Sequence, residues 1–112
     1  MVSAILRHVS RGHDATADRS VLVGALRRQL DRALAERRWH FAQHFCDRIL
    51  AEEPRNLEMW LVKGYLAWHC FHDPQKAVAS FRHVLILGGF ESSNEYVAQA
   101  RAALSQLLER LS

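Results

Sequence analysis

Apolar residues recur along most of this chain at intervals of three and four, the spacing that lines one face of an α-helix. Val2, Ile5, Leu6 and Val9 open the pattern over two turns, and a polar connector, SRGHDATADRS, follows. Two turns hold helical form only under a covering neighbour. The period resumes at Val21, Leu22, Ala25, Leu26, Leu30, Ala33 and Leu34, with Arg27, Arg28, Asp31, Arg32 and Glu36 largely opposite. A helix with one buried side is expected there, starting near Asp18 or Ser20, either of which suits an N-cap. After a turn near Arg37-Arg38, Trp39, Ala42, Cys46, Ile49 and Leu50 keep the period until Pro54 ends the element.

The third element, Leu57 to Phe71, carries two apolar stripes. Leu57, Leu61, Gly64 and Trp68 make one; Trp60, Gly64, Ala67 and Phe71 make the other. A helix apolar on most of its circumference is enclosed by neighbours, so this one is predicted to be central. Gly64 weakens it by about 1 kcal/mol of propensity, which close approach of a neighbouring backbone would offset. Asp73 and Pro74 suit the cap and first position of a fourth helix running to Leu87, with Ala77, Val78, Phe81, Val84 and Leu85 inward and Gly88-Gly89 closing it. Ser92 or Ser93 is expected to open a fifth helix to Leu111, lined inside by Tyr96, Val97, Ala100, Ala103, Leu104, Leu107 and Leu108.

The second and fourth helices match position for position. Ala42, Cys46, Ile49 and Leu50 correspond to Ala77, Phe81, Val84 and Leu85, each 35 residues later. One period therefore recurs, and the turn at His72-Asp73 is the expected place of the one residue beyond a 34-residue repeat. Trp60 and Gly64, then Ala77 and Phe81 four apart, with Asp73-Pro74 between, make this chain resemble the tetratricopeptide repeat (TPR) family. The resemblance covers roughly 22–89. It departs from the pattern where Leu26 and Leu30 stand for the Trp and Gly, Cys46 for the aromatic, Ala67 for the Tyr and Gly89 for the closing Pro.

The resemblance implies an all-α fold of antiparallel helix pairs stacked as a short right-handed solenoid, with about five helices and a short N-terminal one. The division expected is an N-terminal segment, 1–18, as a short helix or a disordered arm, and a helical domain, 19–112, with repeats over about 22–54 and 55–89 and a capping helix over about 92–111. In such proteins the first helix of each pair lines a concave surface that holds an extended or helical peptide. Carried over residue by residue, that surface falls at Gly24, Arg27, Asp31, Leu34 and Ala35 in the first repeat and at Glu58, Leu61, Tyr65, Trp68 and His69 in the second. Tyr65 and Trp68 carry the most weight, because aromatic residues dominate interface hot spots; the competing role for both rings is packing against the N-terminal segment or the fifth helix.

With 112 residues, close to half of them hydrophobic and a quarter charged, the chain is expected to form one domain. The formal charge of +3 is spread along it, with only Arg27-Arg28 and Arg37-Arg38 adjacent, so solvated helix faces are expected and no nucleic-acid footprint. Cys46 and Cys70 form no CxxC pair and are expected as small buried hydrophobes in a reducing compartment, although a disulfide between them stays open on sequence. No run long enough to span a membrane occurs, and Val2 to Leu6 makes a poor secretory signal, which points to a cytoplasmic protein.

Seven histidines raise a second reading, metal binding through His40 and His44 at i, i+4, Cys46, and the run His69-Cys70-Phe71-His72. Against it, no HExxH or paired CxxC is present, and the repeat alignment puts His40 and His44 on the outward face. No phosphate loop or nucleophile motif indicates an enzyme, and no cofactor is expected. The expected function is protein–protein interaction, as an adaptor or chaperone, with free or oligomeric states both open. In size and helix number the chain is similar to bacterial type III secretion chaperones.

Overall fold

The computed structural model describes residues 15–111, and every regular element among them is helical. The helix expected over Val2 to Val9 lies outside the described residues. Five helices follow one another: α1 (Ala15–Ala35), α2 (Trp39–Glu52), α3 (Leu57–Tyr65), α4 (Pro74–Gly88) and α5 (Glu95–Leu111). Neighbours in sequence are the main neighbours in space: α1 packs on α2, α3 on α4, and α4 on α5.

Two apolar clusters make the core. The first joins Leu26, Leu30 and Ala33 of α1 to Ala42, Cys46, Ile49 and Leu50 of α2, and is closed by Met59 of α3 and Leu66 just beyond it. The second joins Leu61 and Ala67 to Ala77, Phe81, Val84 and Leu85 of α4 and to Val97, Ala100, Ala103, Leu104 and Leu107 of α5. Both draw on α3, as its double stripe required, and Trp60 lies against both. The stripe toward α1 and α2 is Met59, Val62 and Leu66, which belongs to neither of the two expected stripes. Trp60 is also fixed by its indole N–H, which donates to the Pro54 carbonyl at 2.8 Å, and by His83, whose ring lies 4.1 Å away.

Four local expectations change. First, α1 already includes Ala15, so Asp18 and Ser20 sit inside the helix. Alanine-rich sequence favours helix there, and Asp18 serves in the first turn, where its charge complements the helix dipole. Second, α5 is capped by Asn94 in place of Ser92 or Ser93. The Asn94 carboxamide oxygen accepts from the backbone of Tyr96 at 2.8 Å and Val97 at 3.3 Å, while Ser92 Oγ accepts from Asn94 N at 3.0 Å. Asn94→Ala is expected to lower stability by about 1 kcal/mol, read as a urea midpoint shift with unchanged slope.

Third, what Gly64 admits is a ring and no backbone. A Cβ there would stand 2.5 Å from Phe81 Cε1. Fourth, the extra residue of the second repeat lies ahead of the turn, in a π-helical segment, Leu66–Cys70, that continues α3. The amide of Phe71 reaches back five residues to Leu66 O at 2.9 Å, and that of Asp73 reaches back to Ala67 O at 2.8 Å. Single π turns inside helices accommodate one inserted residue. Up to its first turn, Leu30 and Ala33 match Gly64 and Ala67 at a spacing of 34 and all four are buried; behind it, the start of α2 at Trp39 matches the start of α4 at Pro74 at 35. The two left-handed turn residues, Arg37 (φ 57°) and His72 (φ 53°), obey the same 35. Asp73 caps α4 as expected, accepting from Lys76 N at 3.1 Å, and Gly89 closes it at φ 96°.

Candidate functional site

The candidate residues fall into two constellations on either side of α3. Toward α1, the Arg27 guanidinium grips Glu58 with two parallel bonds, Nη1 to Oε1 at 3.0 Å and Nη2 to Oε2 at 2.6 Å, and reaches Asp31 Oδ1 at 3.4 Å. The hydrogen bond to Glu58 raises the Arg27 pKa above its ordinary value against the opposing effect of burial, with the Glu58 and Asp31 charges acting in the same direction. Paired guanidinium–carboxylate forks of this kind set position more than stability, since all three side chains keep contact with water. The trio ties α1 to α3.

Toward α5, Tyr65, Trp68 and His69 stack. Trp68 and His69 have centroids 4.3 Å apart at 21°, and Tyr65 lies nearly parallel to both, at 6.5 and 6.0 Å. Positions 68 and 69 stand three and four residues after Tyr65, the spacings that bring side chains together on one helix face. Phe81 supports the stack from below, edge-on to Tyr65 at 5.2 Å and to Trp68 at 6.2 Å. Trp68 then opens onto a groove of about 430 Å³ lined by His69, His72, Pro74, Leu107, Arg110 and Leu111. Arg110 stands over the Trp68 ring at 5.9 Å, a cation–π arrangement.

Of the ten expected contact residues, the fold thus gathers Arg27, Asp31 and Glu58 in one place and Tyr65, Trp68 and His69 in another. Leu34 is half-buried against the first cluster, and Leu61 is 4% exposed within the second, so Leu61 has almost no surface to offer. Both readings of the rings meet in Trp68, which packs on the core and lines an open groove. Leu107, Arg110 and Leu111 were not singled out from sequence. Their positions one turn apart at the end of α5 were legible, but only folding brings them to a tryptophan some forty residues earlier.

The histidines and cysteines are engaged separately. His40 lies 5.0 Å from the Phe71 ring and His44 5.2 Å from Phe45. Cys46 is completely buried and donates its thiol to the Met59 carbonyl at 3.2 Å; burial, aided by the Asp47 charge and opposed by Lys63, pushes its pKa up to about 12. Cys70 is half-buried, its pKa raised by burial, and both thiols are free. Among the described residues no three His, Cys, Asp or Glu side chains group as metal ligands. No described helix is long and apolar enough to cross a membrane. Compared with known proteins, the chain matches no family model, and no curated protein and no solved structure shows significant similarity to it.

Proposed function

We propose that this chain is a TPR-like interaction module, an adaptor or chaperone that reversibly buries a peptide or helix of a partner protein against α1, α3 and the end of α5, with no covalent step. One observation carries the reading: the Tyr65–Trp68–His69 stack, supported by Phe81, opens beside a groove whose remaining walls are Pro74, Leu107, Leu111, His72 and Arg110. Preset aromatic surface next to a cation suits capture of an apolar side chain, because the rings lose little entropy on binding. The Arg27–Glu58–Asp31 trio lies on the other side of α3, where it can meet the polar part of the same segment. In its specific form the proposal is a cytoplasmic bacterial chaperone that shields an aggregation-prone subunit, as type III secretion chaperones do.

Site-specific photocrosslinking tests it. A photoreactive side chain at His69 or Leu111, both exposed, is expected to yield one and the same covalent partner in cells, and one at exposed Ile86 on α4 is not. Arg110→Glu should reduce the yield at both positions while helical circular dichroism stays unchanged. Equal labelling from Ile86, or none from His69 and Leu111, overturns the groove assignment.

A further inference from the structure

A second surface, on the first helix pair and sharing no lining residue with the groove, has its own partner chemistry. Phe41 is 54% exposed at the start of α2, and Phe45, one turn on, is half-buried. Between them and α1 lies a hollow of about 390 Å³, walled by Gln29, Arg32, Ala33, Glu36 and Arg38. A second hollow of about 430 Å³ adjoins it across Phe41 and includes Arg37, His40 and Phe71.

The internal repeat shows what sort of element such a face receives. Met59 and Leu66 seat α3 and its π turn on the first pair, and 34 residues earlier stand half-buried Ala25 and exposed Arg32. Thirty-five residues before Lys76 and buried Ser80 stand Phe41 and Phe45. The second pair therefore folds with lysine at the place of Phe41, which joins neither core cluster, whereas Phe45 rests in part on the first cluster and holds the inner edge of the hollow. Among the described residues Cys70 and Phe71 reach the edge of the second hollow, and both hollows stay open beside Phe41.

Charge selects the occupant. Arg32, Arg37 and Arg38 surround the phenylalanines, and the one carboxylate in the walls, Glu36, is already paired with Arg38 at 3.4 Å. Arg38 also sits 5.9 Å over the Phe41 ring. The chain's own first residues carry Arg7 and Arg11 ahead of any acid, the wrong sign for this surface. We infer that the outer face of α1 and α2, centred on Phe41 and Phe45 and ringed by Arg32, Arg37 and Arg38, docks an acidic amphipathic helix of a partner protein, separately from the groove at Trp68. Apolar residues of that helix at i and i+3 or i+4 fill the two hollows, and its carboxylates meet the arginines.

The test is selection of a display library of randomised helical peptides on the full-length protein, followed by fluorescence anisotropy with a peptide so obtained. Enriched sequences are expected to be acidic with apolar residues three or four apart. Phe41→Lys, which installs the residue the second pair carries at this position and leaves the core untouched, should weaken binding by about thirtyfold or more. Arg32→Glu should weaken the acidic peptide and restore binding to a charge-reversed one. Arg110→Glu, which addresses the groove, should change neither, so this surface and the groove stand or fall separately. The inference is overturned if no sequence enriches, if those enriched are not acidic, or if affinity survives Phe41→Lys. It is equally overturned if sedimentation shows a dimer that Phe41→Lys dissolves, since a second copy would then cover the face.

Discussion

Phe81→Ala is expected to be the most damaging single truncation in this protein, with a loss of about 3–5 kcal/mol in unfolding free energy and a fall in melting temperature of roughly 15 °C or more. Phe81 has no exposed surface, and its ring enters the space left by Gly64. Tyr65 and Trp68 rest on it edge-on, so its removal opens a cavity under the aromatic stack as well as inside the second cluster. Gly64→Ala probes the same contact from the other side. Its methyl group would meet the ring at 2.5 Å, and overpacking of this kind costs about 1–3 kcal/mol, more than the propensity gained over glycine. The pair should be strongly coupled: Gly64→Ala combined with Phe81→Leu is expected to be more stable than the sum of the two single changes allows, because leucine gives back the space that the methyl group takes. Urea unfolding of the four proteins measures this, and additive losses would show that ring and glycine are not one contact.

A second large effect appears at high pH. The Cys46 thiol has a folded-state pKa of about 12 against an ordinary value of 9.0, because the buried site disfavours the thiolate. Below pH 9 the thiol is protonated in both folded and unfolded chains, and the contribution is complete. Above it the unfolded chain releases the proton while the folded chain keeps it, so stability falls by about 1.4 kcal/mol per pH unit, or about 4 kcal/mol by pH 12. Cys46→Ala removes this slope along with the bond to the Met59 carbonyl. A Cys70→Ser background takes out the other thiol with a raised pKa. In that background, urea unfolding between pH 8 and 11 should show the stability gap between the protein that keeps Cys46 and its Cys46→Ala variant closing as pH rises. Parallel curves would mean that the thiol ionises without penalty. The same burial makes Cys70 the thiol that alkylates first in the native protein.

Helix number, most inward positions and the period of 35 were legible in the sequence because each rests on local spacing, although Val21, Leu22 and Leu108, expected on apolar faces, are exposed. Ala42, Cys46, Ile49 and Leu50 and their counterparts Ala77, Phe81, Val84 and Leu85 all proved buried, and the cap at Asp73 and the closure at Gly89 follow from short-range chemistry of the kind a linear reading captures. Asn94 was missed for a related reason: three polar residues in a row, Ser92, Ser93 and Asn94, all suit a cap, and the choice among them depends on where α5 must begin to bring Val97 into the core.

Other features were settled only by tertiary structure. A 35-residue period reveals that one residue is extra but not which one; its place in the Leu66–Cys70 turn, ahead of His72-Asp73, follows from keeping Leu66 on the first cluster and Ala67 on the second. The packing of α5 beside this segment is what brings Trp68 under Arg110. Likewise, periodicity put Arg27 and Glu58 on the same kind of face, but only the packing of α1 beside α3 made them an ion pair. Sequence determines which residues share a helix face, because the 3.6-residue turn is a local property; which faces meet depends on contacts between residues distant along the chain, and those exist only in the folded protein.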